Sequence, residues 1–273
     1  MRITQKITIL LLATVSLLAA CAGKPNPEQQ SIAAASTPVF NGDSAFQFVQ
    51  CQVDFGPRVP GTAQHTACAA FLDTTLRRFG AQLTIQNGEA TLYDGRTMRL
   101  KNIIASYNPQ ASKRLLLCAH WDTRPYADQD TNPANHRKPI LGANDGASGV
   151  GVLLEVARQL HLNEPTIGVD IVLFDLEDWG TPEFYTGPQR EDTWCLGSQY
   201  WAQQAVKSGY KAEFGILLDM VGAPNAQFYK EQISTYYASF AVEKVWNAAQ
   251  SLGFGSYFIN QSGGDRKSTR LNS

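Results

Sequence analysis

Three observations predict an α/β fold with a mixed, mostly parallel central sheet flanked by helices. Strand-like and helix-like stretches alternate through the middle of the chain, with no internal repeat. Two of the strand-like stretches, residues 113–119 and 169–174, are largely apolar runs of the kind buried on both faces of a sheet. Each run leads into acidic or imidazole groups: His120 and Asp122 after the first, Glu177 and Asp178 after the second. A third stretch, 212–218, ends at Asp219. Open α/β sheets build their sites outside the carboxyl ends of such strands.

The bulk numbers suit one domain of this class. The chain has 273 residues, 44% of them hydrophobic and 17% charged, with a formal net charge of −1. It has no long basic or acidic run, which excludes a nucleic-acid partner and a polybasic membrane patch. The membrane signal is confined to the start. Arg2 and Lys6 precede an apolar core at 7–18, too short for an ordinary spanning helix. It closes on Leu18-Ala-Ala-Cys21, which resembles a bacterial lipobox. Residues 1–21 are therefore expected to be a lipoprotein signal, with Cys21 as the lipidated first mature residue. That places the protein outside the cytoplasm, anchored in the bacterial envelope on the periplasmic or outer-membrane side. A plain cleaved signal with an incidental cysteine is the alternative. Residues 22–40 are polar and read as a flexible tether.

From there the elements follow in order. Asn41-Gly42-Asp43 starts a helix over 43–55 with Phe46, Val49 and Val53 on its inner side. Gly56-Pro-Arg-Val-Pro-Gly61 is a stiff turn. A second helix covers 63–79, with Ala70, Phe71, Thr74, Leu76 and Phe79 along one side and Gly80 fitting its C-cap. Strands are expected at 81–86 and 90–93, with Asn87-Gly88 and Asp94-Gly95 as turns, and another at 100–107. This strand-rich part adds antiparallel strands at one edge of the sheet. The polar stretch 123–143 is long enough to be functional or disordered. After it, a helix runs to about 160 with Val150, Leu153, Leu154 and Ala157 inside. A second loop spans 179–194, a helix 196–206, and a helix near 240–252 and a strand near 256–259 close the plausible fold.

The tail 265–273 has four charges, no apolar period and no link to what precedes it. It resembles the translation of a sequencing-adapter read-through, so residues 41–264 are expected to be an incomplete catalytic domain. A short natural polar terminus is the alternative.

The acidic groups carry the functional reading. Parallel strand ends lie side by side, so His120, Asp122, Glu177, Asp178 and Asp219 can converge, with Asp145 starting the intervening helix. Carboxylates gathered in one place repel unless a cation neutralises them, and carboxylate plus imidazole suits zinc. Taken singly, His120 could be a core histidine, Asp145 a helix N-cap with Ser148 nearby, and Asp219 a satisfied loop acid. Needing all of these at successive strand ends favours a metal site. Cys51, Cys68, Cys118 and Cys195 show no Cys-x-x-Cys spacing, so a thiolate zinc site is not expected. Disulfides and free thiols both stay open. No Gly-x-Ser-x-Gly elbow occurs, which speaks against a serine hydrolase.

The series Ala119-His-Trp-Asp122, Gly142-Ala-Asn-Asp-Gly-Ala-Ser-Gly149, Leu176-Glu-Asp178 and Leu217-Leu-Asp-Met-Val-Gly222 resembles the M28 zinc peptidase superfamily. Within it, Phe55-Gly-Pro-Arg-Val-Pro-Gly61, His120-Trp-Asp-Thr-Arg-Pro125 and Trp194-Cys-Leu-Gly197 are similar to glutaminyl cyclases of the Bacteroidetes type. The resemblance spans about residues 43–264. It implies a zinc aminopeptidase-like sheet and one zinc held by Asp145, Asp178 and a C-terminal histidine. Glu177 would be the general acid/base and Asp219 a partner that orients it or the substrate. His120 and Asp122 would serve a second metal or hydrogen-bond within the site. The substrates implied are peptides or proteins with N-terminal glutamine, cyclised to pyroglutamate with loss of ammonia. Trp121, Trp179, Phe184, Tyr185 and Trp194 are the candidate pocket walls. The family's later Asp-Asp-His and Trp-His motifs do not occur, so this chain is expected to be inactive as written. Two other readings remain open. One is an M28 zinc aminopeptidase, in which His120 and Asp219 hold a first zinc, Asp145 bridges, Asp178 holds the second and Glu177 activates water. The other is a non-enzymatic, peptide-binding surface lipoprotein.

Overall fold

The computed structural model describes residues 38–263; the signal segment, the tether through residue 37 and the 265–273 tail lie outside them. The elements are α1 (Gly42–Asp54), α2 (Ala63–Arg78), β1 (Gln82–Thr91), β2 (Thr97–Tyr107), β3 (Arg114–His120), a 3₁₀ turn (Pro133–Asn135), α3 (Ala147–Leu162), β4 (Gly168–Phe174), α4 (Leu196–Ser208), β5 (Gly215–Leu217), β6 (Phe228–Glu231), α5 (Gln232–Ser251) and β7 (Phe258–Gly263). The main sheet runs β1-β2-β4-β3-β5. β1–β2 and β2–β4 are antiparallel, while β3 is parallel to both β4 and β5. The β-rich first part therefore supplies the antiparallel edge, as its alternation implies. β6 and β7 pair in parallel as a separate two-stranded sheet.

β4 organises the core because every one of its residues is buried. Its side chains alternate between two layers, as strand geometry requires. Ile171 and Leu173 join Leu72 and Leu76 of α2 and Val150, Leu153, Leu154 and Ala157 of α3. Val172 and Phe174 face the opposite layer, where Trp201 of α4 packs edge-on against Phe174. The chain leaves β3 towards β4 on one side and later returns to β5 on the other. The carboxyl ends of β4, β3 and β5 are thus neighbours at a point where the strand order reverses, the position that favours a site. Among the described residues no helix is long and apolar enough to cross a membrane.

Several local expectations are corrected. On α1, Ala45 and Gln52 are buried and Val49 packs against Gly151 of α3 as expected, but Phe46 is exposed. In α2 the buried side is His65, Cys68, Ala69, Leu72, Thr75 and Leu76, whereas Ala70 and Thr74 face solvent. Leu76 and Phe79 are buried and Phe71 packs on the core as expected, so periodicity finds part of each inner face and misplaces the rest. Asn87-Gly88 is not a turn: β1 runs unbroken through it, pairing Asn87 with Lys101 and Gly88 with Leu100. The glycine is there for space, since a Cβ on Gly88 would sit 2.5 Å from the Tyr200 ring. Asp145 is not the N-cap of α3, a position taken by Gly146 without a side-chain cap bond. The strand expected over 212–218 shortens to β5. The helix expected near 240–252 is the second half of α5, whose non-helical Ala238 joins it to an earlier half. β6 is a strand that the sequence pattern does not reveal, and the last strand starts later than its pattern implies, at Phe258. All four cysteines of the described residues are free thiols, with Cys68 and Cys118 buried.

Candidate metal and catalytic site

β3 and β4 end together. The Trp121 amide donates to the Phe174 carbonyl at 3.0 Å, the last rung before both chains turn into the site. Past Phe174 the chain passes through Asp175 and then Leu176, whose φ of 52° lies in the left-handed region. That conformation costs a non-glycine residue on the order of 1 kcal/mol and persists only where the surroundings impose it. Here they do: the Leu176 side chain is fully buried, and its carbonyl accepts the Leu196 amide at 3.0 Å. The turn presents Glu177 and Asp178, both almost completely buried.

Asp122 secures that turn. Its Oδ1 accepts the Glu177 amide at 3.1 Å and its Oδ2 accepts the Asp178 amide at 3.2 Å. One buried carboxylate thus fixes the backbone beneath two others, and it also lies 3.5 Å from His120 Nδ1. This engages both Asp122 oxygens with protein partners and makes it a support for the site.

His120 lies at the centre. Its Nε2 is 2.9 Å from Asp145 Oδ1 and 3.4 Å from Asp219 Oδ1. Burial alone would push the imidazole down, but Asp122, Asp145 and Asp219, with Asp178 behind them, hold it well above the ordinary histidine range. Donor atoms of His120, Asp145 and Asp178 all lie within 4.8 Å of one another, as do those of His120, Glu177 and Asp219. The structure therefore brings together Glu177, Asp219, Asp145, Asp178, His120 and Asp122, the whole acid and imidazole set read from the sequence. So dense a group of acids around one imidazole calls for a cation, and its O and N donors fit zinc.

Two supports were not recognisable as such from the sequence. His65 of α2 stacks on Trp121 with centroids 4.1 Å apart, and its Nε2 lies 2.9 Å from Asp175 Oδ1. Asp175 Oδ2 accepts the Lys101 amide at 2.8 Å, fixing the start of the Glu177–Asp178 turn. Arg58, from the stiff turn, is fully buried and reaches the carbonyls of Trp121, Leu141 and Gly142. A lone histidine in a helix and an arginine between prolines carry no pattern that reveals such contacts.

The long loop after β3 is ordered around Arg124. The guanidinium bonds Asp128 through Nε at 2.7 Å and Nη2 at 2.6 Å, donates to the Asp178 carbonyl at 3.0 Å, and lies 4.7 Å over the Trp194 ring. Burial would raise the Asp128 carboxyl, but Arg124 and the Glu183 amide hold it below the usual carboxylate range. Beside the loop is a cavity of about 570 Å³ that reaches Asp145 and Met220 and is walled by Tyr126, Ile140 and Leu141.

The aromatic candidates separate. Trp121 is 0% exposed and donates to the Lys101 carbonyl at 3.2 Å, so it is a core residue and not a pocket wall. Tyr185 packs on Tyr93 at 4.9 Å, and Trp179 joins the same apolar cluster, with its Nε1 buried and lacking a hydrogen-bond partner. Phe184 packs on Tyr126 under the Arg137 guanidinium. Trp194 covers Gly180, where a Cβ would collide with the indole. None of the five lines the cavity beside Asp145.

Comparison with known proteins matches this geometry to a family. The model of Peptidase family M28 fits residues 102–268. The solved structure of Tannerella forsythia glutaminyl cyclase is 56% identical, covering 83% of this chain and 78% of that chain, with a TM-score of 0.80. A Zn-dependent exopeptidase from Parabacteroides distasonis is 55% identical, covering 83% of this chain and 77% of that one, with a TM-score of 0.81. A glutaminyl-peptide cyclotransferase of Drosophila melanogaster is 24% identical over 192 residues, 66% of this chain and 49% of that protein. The chain thus spans about half the length of that curated relative.

Proposed function

The chain belongs to peptidase family M28, and from that premise we propose that it acts as a zinc-dependent glutaminyl-peptide cyclotransferase, converting N-terminal glutamine to pyroglutamate with release of ammonia. One observation supports the metal-dependent part above all: His120, Asp145 and Asp178 bring donor atoms within 4.8 Å of one another, with Glu177 next to Asp178. The choice of cyclisation follows the likeness to the T. forsythia enzyme.

In this reading Asp145 and Asp178, with His120 beside them, hold the zinc. When bound, zinc supplies Lewis-acid polarisation of the substrate's side-chain amide carbonyl. The chain's own groups do the rest. Glu177 takes a proton from the α-amine, whose nitrogen then forms a bond to the amide carbon. Glu177 returns the proton to the departing nitrogen, which leaves as ammonia. Burial beside other acids suits a carboxyl that must both accept and give a proton. Asp219, which shares a donor cluster with Glu177, orients it. The cavity beside Asp145 has room for the residues that follow the glutamine. The exported, lipid-anchored location read from Cys21 belongs to the same proposal.

The second reading is an aminopeptidase. It is favoured by one feature: His120 Nε2 faces Asp145 and Asp219 together, at 2.9 and 3.4 Å, as a two-metal site would need. One assay separates them. Whatever turnover the zinc-loaded protein shows on a Gln-initiated peptide is expected to yield ammonia and a pyroglutamyl peptide one for one, with no free glutamine. Free glutamine in place of ammonia would establish the aminopeptidase instead.

A further inference from the structure

Arg58 lies outside the stretch that the family model matches, which begins at residue 102, yet it touches the main chain on both sides of the metal-capable cluster. Its side chain is 0% exposed. Nε donates to the Trp121 carbonyl at 3.2 Å, between His120 and Asp122. Nη1 donates to the Leu141 carbonyl at 2.8 Å and more distantly to Gln52 at 3.4 Å, and Nη2 donates to the Gly142 carbonyl at 2.7 Å. The Thr123 amide returns a bond to the Arg58 carbonyl at 3.2 Å.

The Gly142 carbonyl is a shared acceptor. It also takes the Ala147 amide at 3.1 Å, closing a small loop that holds Asp145. Arg58 therefore grips the base of that loop and the end of β3 at once. Space is tight: a Cβ on Gly142 would come 3.0 Å from Nη2 and 2.6 Å from the Asp145 carbonyl, which explains a glycine with φ +60° there. A Cβ on Gly146 would lie 3.6 Å from Nη2 and 3.3 Å from His120 Cε1, so guanidinium and imidazole flank the same loop.

All the Arg58 bonds go to carbonyl oxygens, not carboxylates. A buried guanidinium is costly unless charge elsewhere offsets it. Burial opposes its charged form and draws the guanidinium below its ordinary value, while Cys68 and then the carboxylates of Asp122 and Asp145 favour the charge.

We propose that Arg58 is a positioning residue of the metal site: its rigid fork sets the spacing between the His120 strand end and the Asp145 loop, and its charge stands as a fixed counter-ion behind the acids. This rests on the reading of His120, Asp145 and Asp178 as metal donors. Only arginine offers several donors in one fixed plane, so lysine keeps the charge but not the spacing. Partners one step behind the ligands commonly govern metal affinity by 10–100-fold.

The test uses the full chain, with zinc affinity measured by competition against a chromogenic chelator and thermal unfolding followed with and without zinc. Arg58→Lys is expected to stay folded, bind zinc about 10–100-fold more weakly, and show a smaller zinc-induced rise in Tm than wild type. Arg58→Met is expected to weaken zinc binding at least as much; if it does not fold, Arg58→Lys decides. A purely structural arginine would lower Tm equally with and without zinc. Zinc affinity of Arg58→Lys within twofold of wild type would therefore overturn the proposal. Wild-type protein that binds no zinc would remove the metal reading itself, and this inference with it.

Discussion

The two ends of β4 carry the same chemical group in opposite circumstances. At the amino end, Asp170 is buried with every oxygen answered. Oδ1 accepts Ser106 Oγ at 2.6 Å and Arg114 Nη2 at 2.7 Å, and Oδ2 accepts Arg114 Nε at 2.7 Å and Tyr210 Oη at 2.8 Å. At the carboxyl end, Glu177 and Asp178 meet Asp122, Asp145 and Asp219 around a single imidazole. An acid matched to a bidentate arginine is a fastening. Acids gathered around one imidazole are a donor set suited to a cation. Sequence position along one strand separates stability from chemistry, as strand polarity in α/β folds leads one to expect.

If that contrast holds, substitutions at the two ends should fail differently. The largest effect is expected at Glu177: Glu177→Gln removes the proton carrier but keeps the shape, so kcat should fall by roughly 10²–10⁴-fold with zinc affinity nearly retained. Steady-state kinetics and a zinc titration on the same preparation check this. A parallel collapse of zinc binding would instead make Glu177 a ligand.

Asp170→Asn should act on folding alone. It leaves the Arg114 guanidinium, mostly buried, without its anion, and breaking such a pair costs roughly 3–5 kcal/mol. Urea unfolding is expected to show that loss while the folded fraction keeps its zinc affinity. The pH dependence sharpens the point. Burial would raise the Asp170 carboxyl, but the bonds from Arg114, Ser106 and Tyr210 hold it below its ordinary value. A depressed carboxyl contributes stability above the unfolded value near 4 and loses it as pH falls through the folded value. The gap between wild type and Asp170→Asn should therefore be full at pH 7 and shrink below about pH 4. A gap that stays constant to pH 3 would mean the carboxylate's charge is not what stabilises.

The smallest effect is expected at Trp121. Trp121→Phe forfeits the bond to the Lys101 carbonyl and should cost about 1 kcal/mol of stability, with KM unchanged because the ring is not open to substrate. A rise in KM would return Trp121 to the pocket.

Much of this was legible in the chain. β3 and β4 declare themselves by apolar runs, and the acids at their ends by position, so the set from His120 to Asp219 is legible in the sequence. What stayed hidden depends on contacts between distant segments. Gly88 looks like a turn residue until Tyr200 is seen to need its space. Phe46 looks like a core residue, and only the packing of α1 on α3 turns it outward. Arg58 and His65 look unremarked because their partners are backbone carbonyls and a buried aspartate far along the chain. Trp121 follows a candidate ligand and so suggests a pocket wall, but strand alternation sends it to the opposite side, against His65.

The most direct measurement is a zinc titration of three proteins in parallel: wild type, Asp170→Asn and Asp178→Asn, each confirmed folded. If one end of β4 is a fastening and the other a metal site, wild type and Asp170→Asn bind one zinc with similar affinity and Asp178→Asn binds more than 100-fold more weakly, beyond the loss usual for outer partners. Equal binding by all three would contradict the assignment of the metal to the carboxyl end of β4.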